Sequence, residues 1–207
     1  MSLISISCIL LVLGLTFTTT AQETKTYIKE LQQERKEKQA SLKRKKSSPL
    51  NKEDRKHFAG LNYFPIDTSY QVNAVFVEVD AKDTISIPTS AGRSKDFVRY
   101  GMFLLSFDKA QDTLYGYKRV WPEGYTYDGE PYIFLPFNDE TNGDLTYGGG
   151  RYLDLSIPAK TEREVVIDFN RCYNPYCAYG GGFSCPIPPR ENRLNRPILA
   201  GEKNYDH

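Results

Sequence analysis

Carboxylates, amides and one arginine recur between residues 134 and 203 at spacings that could support polar chemistry. In the stretch RYLDL, period-two alternation puts Tyr152 and Asp154 on the face opposite Leu153 and Leu155. In VVIDFN, the same alternation sets Asp168 and Asn170 opposite Ile167 and Phe169. If these two strands are neighbours, four polar groups share one surface, and Asp139 and Thr141 from the preceding loop would complete a polar pocket at the end of the sheet. Arg151 is the cation to watch. Its planar fork could clamp a ligand carboxylate, or pair internally with Asp139 or Asp168, in a geometry a lysine cannot reproduce. The competing reading is structural, with Asp168 and Asn170 satisfying backbone groups of the irregular segment that follows.

Other chemistries fit less well. His57 and His207 are the only imidazoles, one in a charged segment and one at the last position, which leaves little for a histidine-activated nucleophile or a multi-histidine metal centre. Gly148, Gly149 and Gly150 precede an expected strand, unlike the glycines of a phosphate-cradling loop that opens a helix. Two carboxylates acting as acid and base, with Asp139 and Asp168 as the candidates, would make a hydrolase if they converge and one has a raised pKa. Tyr115, Tyr117, Trp121, Tyr125, Tyr127 and Tyr132 form a separate aromatic band that could stack on flat ligands or sugar rings; strand packing accounts for it equally.

Three cysteines follow the N-terminal apolar run. Cys172, Cys177 and Cys185 are spaced C-x4-C-x7-C, which matches no standard structural zinc site, so no metal and no cofactor is expected. In an oxidising compartment they give one disulfide and one leftover thiol. The expected pair is Cys177 with Cys185, stapling the loop that holds Gly180 to Gly182.

The elements that must position these groups begin with a leader. Residues 4–17 form an apolar run too short to span a bilayer comfortably, and Thr19, Thr20 and Ala21 supply a small-residue cleavage pattern. A signal peptide over 1–21 is expected, with an uncleaved anchor as the alternative, and export to the periplasm or the extracellular space follows from it. The chain carries 27 basic and 26 acidic residues, but Lys36, Lys38, Lys43, Arg44, Lys45 and Lys46 cluster before Pro49. That run lacks interleaved aromatics and reads as a solvated helix face and linker, not a nucleic-acid site.

Residues 22–47 are expected to be a charged helical extension whose thin apolar stripe (Tyr27, Ile28, Leu31, Leu42) leans only loosely on the rest. A short second helix is expected over 52–59, capped by Asn51 and closed by Gly60. From residue 70 the period becomes two, and about seven short strands separated by Asp, Gly and Pro turns predict a mainly β domain over 48–207. The sheet should be antiparallel and curled, barrel-like or a sandwich, with a turn at 108–112. After Asn170 the proline and glycine density predicts an ordered coil wrapping the sheet. No transmembrane helix is expected in the mature chain, and its oligomeric state is open.

Several phrases carry a resemblance: SPL..EDR..F.GLNYFP.D..Y from Ser48, PF.DET.G..TYGGGRYLDL from Pro136, DFN..YNP.CAY from Asp168, CP.PP.EN.L from Cys185, and AGEK from Ala200. Together they resemble the bacterial domain-of-unknown-function family 1684, over about 48–203. The resemblance implies a mainly β domain with no assigned activity. Its matched polar positions are Asp139, Thr141, Tyr147, Arg151, Tyr152, Asp154, Asp168, Asn170, Asn174, Asn192 and Glu202, with Cys177 and Cys185. Cys172 stands where the resemblance leads one to expect alanine, which fits an unpaired thiol. The functional expectation is an exported protein that binds a small polar ligand, or a segment of an envelope partner, in a polar pocket under the C-terminal tail. A carboxylate hydrolase and a purely structural envelope protein are the alternatives.

Overall fold

The period-two segments build seven strands: β1 (Gln71–Glu78), β2 (Thr84–Pro88), β3 (Ser94–Phe107), β4 (Ala110–Arg119), β5 (Tyr132–Phe137), β6 (Arg151–Ser156) and β7 (Glu164–Asp168). Two helices precede them, α1 (Ser5–Leu42) and α2 (Lys52–His57). This computed structural model describes residues 5–44, 48–80, 84–107, 110–159, 161 and 163–206, with side chains from residue 21 onward. The strands join antiparallel in the order β6-β5-β4-β3-β1-β7, with β2 also on β3, and the one sheet curls into a half-barrel. β4 opens at Ala110, opposite Phe107, earlier than the expected turn at 108–112 allows; residues 108 and 109 lie outside the described residues.

The two faces of this sheet have different tasks. One carries the main core: Ala74 and Phe76 of β1, Phe103 and Leu105 of β3, Leu114 of β4, and Ile133, Leu135 and Phe137 of β5. The C-terminal segment lays Leu194, Ile198 and Ala200 against it. The other face gathers Ile87, Phe97, Tyr117, Phe134 and Tyr152 into a smaller aromatic cluster. Simple alternation would place Phe97 with Phe103 and Leu105 on the main core. Instead Arg99 pairs with Tyr117 but Gly101 with Gly116, so Tyr100 is an extra residue. That bulge reverses the parity of everything before it and turns Phe97 to the opposite face.

β4 and β5 share a single register pair, Tyr117 with Phe134. Further along, Pro136 has no N–H to give. The Asn192 side chain takes over there: its Nδ2 donates to the carbonyls of Tyr115 at 2.8 Å and Pro136 at 2.7 Å, and its Oδ1 accepts from Tyr115 N at 2.8 Å. The tail also closes an edge. Tyr173 exchanges two backbone hydrogen bonds of 2.9 Å with Tyr152, covering the outer side of β6. Within the tail, regular structure is limited to one-turn 3-10 segments at Phe169–Arg171, Tyr176–Ala178 and Arg190–Asn192.

Helix α1 is held more firmly than its thin stripe predicts. Leu31 and Leu42 are each 2% exposed. Arg35 donates to the carbonyls of Phe64 at 3.1 Å and Asn170 at 3.2 Å, Glu34 pairs with Arg171 at 2.8 Å, and Lys38 pairs with Glu202 at 2.6 Å. Polar residues that periodicity assigns to solvent thus supply much of the docking. α1 runs through the expected cleavage point after Ala21. Among the described residues no helix is long and apolar enough to cross a membrane, which says nothing of strands. In α2, Asn51 Oδ1 accepts from Glu53 N at 2.8 Å and Asp54 N at 2.9 Å, as an N-cap does. That helix ends at His57, before the expected Ala59, because Phe58 turns inward at φ −56°, ψ 104° and packs in a satellite cluster.

Replacing Asn192 by leucine leaves three backbone groups between β4 and β5 without partners. The expected cost is about 2–4 kcal/mol of folding stability, read as a lower denaturant midpoint at unchanged slope; a midpoint equal to that of the parent would refute the assigned role.

Candidate ligand-binding cleft

Arg151 enters the sheet from a glycine loop in which only Gly150, at φ +85°, takes the left-handed conformation. A Cβ there would meet Phe137 O at 2.8 Å, so both the turn and the close approach require glycine. The pairing of Arg151 with Phe137 then aims the guanidinium into the main core, where it is 0% exposed. Its Nη2 donates to Asp139 Oδ2 and to Ile198 O, both at 2.8 Å, and its Nη1 donates to Ala200 O at 2.6 Å and Glu202 O at 3.2 Å. The other Asp139 oxygen accepts from Thr141 N at 2.8 Å and Ile198 N at 3.3 Å, while Thr141 and Thr146 share a hydroxyl contact of 2.7 Å. Asp139, Thr141 and Arg151 therefore form a closed network whose acceptors are the last turns of the chain.

Glu202, Asn174, Asp168 and Asn170 join two further internal networks. Glu202 accepts from Asn174 N at 2.9 Å, Tyr63 at 3.3 Å and the Tyr179 hydroxyl, besides pairing with Lys38; Asn174 also donates to Lys203 O at 2.8 Å. Asp168 accepts from Tyr27 Oη at 2.9 Å and pairs with Arg171, and Asn170 bridges to the backbone of Asp67. Burial and the neighbouring Asp168 push the Tyr27 phenol up. Tyr147 packs on the satellite cluster beside Leu42 and Tyr179. A disulfide joins Cys177 to Cys185, and Cys172 is a buried free thiol, pushed up to about 11 mainly by burial.

Open space lies on the other face of the sheet. A cleft of about 610 Å³ has its floor at Phe97, Phe134 and Tyr152 and its walls at Trp121, Tyr132, Tyr173, Tyr176 and Phe183. Of the polar positions singled out from sequence, only Tyr152 and Asp154 line it, with Cys185 at the disulfide end. The aromatic band divides accordingly. Tyr117 is buried with its hydroxyl donating to Glu191 at 3.1 Å, whereas exposed Tyr125 and Tyr127 stack on Trp121 at 4.6 and 5.2 Å. Trp121 and Tyr132 face the cleft.

The polar lining is unevenly charged. At one end, the Tyr173 hydroxyl donates to Asp154 Oδ2 at 2.7 Å, and the Lys38 ammonium lies 4.5 Å from the Tyr173 ring centroid. Surrounding protein raises the Asp154 pKa above its ordinary 3.8, with the Tyr173 hydrogen bond and the Lys38 charge pulling it partly back. Lys95 and Arg119 stand on the β3–β4 side. Desolvation first, then Asp154, push Tyr132 up to about 12, so it remains a phenol and a hydrogen-bond donor at neutral pH. Among the described residues no group of three or more His, Cys, Asp or Glu is placed to hold a metal.

Residues 56–203 match the family model described as "Protein of unknown function (DUF1684)". The chain belongs to the DUF1684 family. A solved relative, the NMR structure of an uncharacterized protein from gene locus rrnAC0354 of Haloarcula marismortui, is 31% identical and superposes with a TM-score of 0.66. The alignment covers 88% of this chain and 96% of that one. No curated protein matches.

In this DUF1684 chain, Trp121, Tyr132, Tyr152, Asp154 and Cys185 are cleft residues that sequence singles out, and the others escape it for identifiable reasons. Phe97 was hidden by the bulge, Lys38 by its place in a basic run, and Arg119 by the aromatics around it. Tyr173, Tyr176 and Phe183 were visible only as aromatic density in the tail.

Two outcomes follow. Arg151→Met leaves the Asp139 carboxylate buried without its cation, and should cost about 3–5 kcal/mol of stability; a thermal midpoint within a degree of the parent would disprove the network's structural role. For Asp154, folding penalises the ionised form, so its contribution favours the folded state less as pH rises from its ordinary value through the raised one. Carboxyl-carbon NMR titration should place its midpoint above 3.8, with Tyr173→Phe moving it further up; because the Asp154 side chain is itself exposed, a midpoint at or below 3.8 would show that the surrounding protein does not desolvate it.

Proposed function

We propose that this DUF1684 protein is an exported ligand-binding protein whose binding site is the aromatic cleft between the sheet and the C-terminal segment. The observation that carries the reading is the cleft itself: about 610 Å³ of open space, walled by eight aromatic side chains and edged by separated charges. Ligand pockets have this size and composition, an apolar body with a few placed polar groups. Export is supported by the expected leader and by the disulfide, a bond that persists in oxidising compartments. The polar positions expected to contact a ligand have a different part in this proposal. Arg151 pairs with Asp139 and donates to tail carbonyls, while the Glu202 carboxylate gathers Asn174 N, Tyr63, Tyr179 and Lys38; this supports the cleft's far wall, and of the expected polar positions only Tyr152 and Asp154 meet the ligand directly. The paired-carboxylate reading has less support, since Asp139 and Asp168 are each spent in a separate internal network.

Trp121 is the only tryptophan, so its emission reports on the cleft. The neutral apolar reporter N-phenyl-1-naphthylamine should bind the full chain saturably, brighten, and quench Trp121. Tyr132→Ala should weaken that binding about fivefold or more, on the scale of losing one buried aromatic contact. Saturable binding that leaves Trp121 emission unchanged, or that the folded Tyr132→Ala variant retains in full, would locate the ligand elsewhere.

A further inference from the structure

The two ends of the cleft differ in how their charges are answered. Lys38 has Glu202 at 2.6 Å, and Asp154 has the Tyr173 hydroxyl at 2.7 Å, so that end is internally balanced. On the β3–β4 side, Lys95 and Arg119 line the cleft together, and among the described residues neither forms an ion pair. They are brought close by the register that sets Phe97 opposite Arg119, with Lys95 two residues earlier on the same face. The guanidinium of Arg119 is fixed in place: its carbon lies 5.1 Å from the Phe97 centroid and 5.5 Å from that of Trp121, and its Nη1 donates to Asp96 O at 2.6 Å. The Asp96 carboxylate itself accepts from Ser86 at 2.6 Å and is not part of the cleft lining. Two like charges held together in a partly desolvated site repel each other, and the Lys95 ammonium is lowered first by burial and then by Arg119 and Arg93. An arrangement of this kind gains most from an incoming anion.

We infer that the cleft's ligand is an organic anion with a flat or chain-like apolar body. Its acidic head sits at Lys95 and Arg119, and its body lies along Phe134 and Tyr152 towards Asp154. This rests on the cleft being the binding site. A bidentate acceptor suits the Arg119 fork, with Lys95 adding a point charge. Asp154 at the opposite end disfavours a second anionic group there and favours a body that ends in an apolar or hydrogen-donating group.

The test uses a matched pair, naphthalene-2-carboxylate and naphthalene-2-carboxamide, competing against the neutral naphthylamine reporter on the full chain. The acid should displace the reporter at about tenfold lower concentration than the amide, the usual scale of a charge-assisted contact. In K95Q/R119Q, the ratio between acid and amide should fall to about twofold or less, and in the parent it should shrink as salt is raised. Equal competition by acid and amide in the parent overturns the anion assignment while leaving the cleft as a binding site, and so does a preference that survives K95Q/R119Q. Failure of the reporter to bind overturns both.

Discussion

Arg151 carries a full charge into a site with no exposed surface, and the whole C-terminal segment is organised by answering it. Desolvating a guanidinium is costly unless it is paired and its donors are filled. Asp139 supplies the pairing, and the carbonyls of Ile198, Ala200 and Glu202 supply most of the remaining acceptors. Those three residues belong to a stretch whose own ladder bonding is limited to a bridge of Glu202 with Tyr63, so the arginine supplies much of what a longer strand would. Once the tail is fixed, Glu202 is fixed with it, and its carboxylate collects Tyr63, Tyr179, Asn174 and the helical Lys38.

The cleft is a consequence of that closure. Its floor comes from the sheet, through the bulge at Tyr100 that turns Phe97 away from the main core. Its far wall comes from the tail, where Tyr173 is zipped to β6 and the disulfide and Pro186 are held beside β2. Part of its rim comes from α1, held by Lys38 on Glu202. Three distant segments therefore meet there, and the buried network joins the backbone pairing and the disulfide in keeping them in register. The motif residues and the cleft residues are largely different sets, linked as support and surface.

The division also explains the chemistry that the two faces can perform. In the core-face network each carboxylate and cation is already committed to an internal partner. The cleft face is aromatic and its charges are separated, with Asp154 and Lys38 balanced at one end and, at the other, Lys95 and Arg119 without an ion pair among the described residues. Such a surface suits recognition of an amphiphile more than bond-breaking by two carboxylates, which would need a second acid beside Asp154.

Much of the scaffold was legible in the chain alone. Seven β segments, an Asn51-capped helix, a coiled tail and the Cys177–Cys185 spacing are all local signals, written in periodicity, capping chemistry and turn residues. Asp139, Arg151 and Glu202 could be singled out by type, but their partners are set by contacts such as Arg151 to Asp139 across 12 positions and Tyr63 to Glu202 across 139, which no local pattern encodes. Alternation defines two faces for each strand without saying which one is covered, and one extra residue at Tyr100 reverses the answer for Phe97. Local pattern is enough to read off the elements and the residues costly to bury; which of them are sealed inside and which surround open space emerges only on folding, because burial depends on what lies opposite, and that is a property of the folded chain.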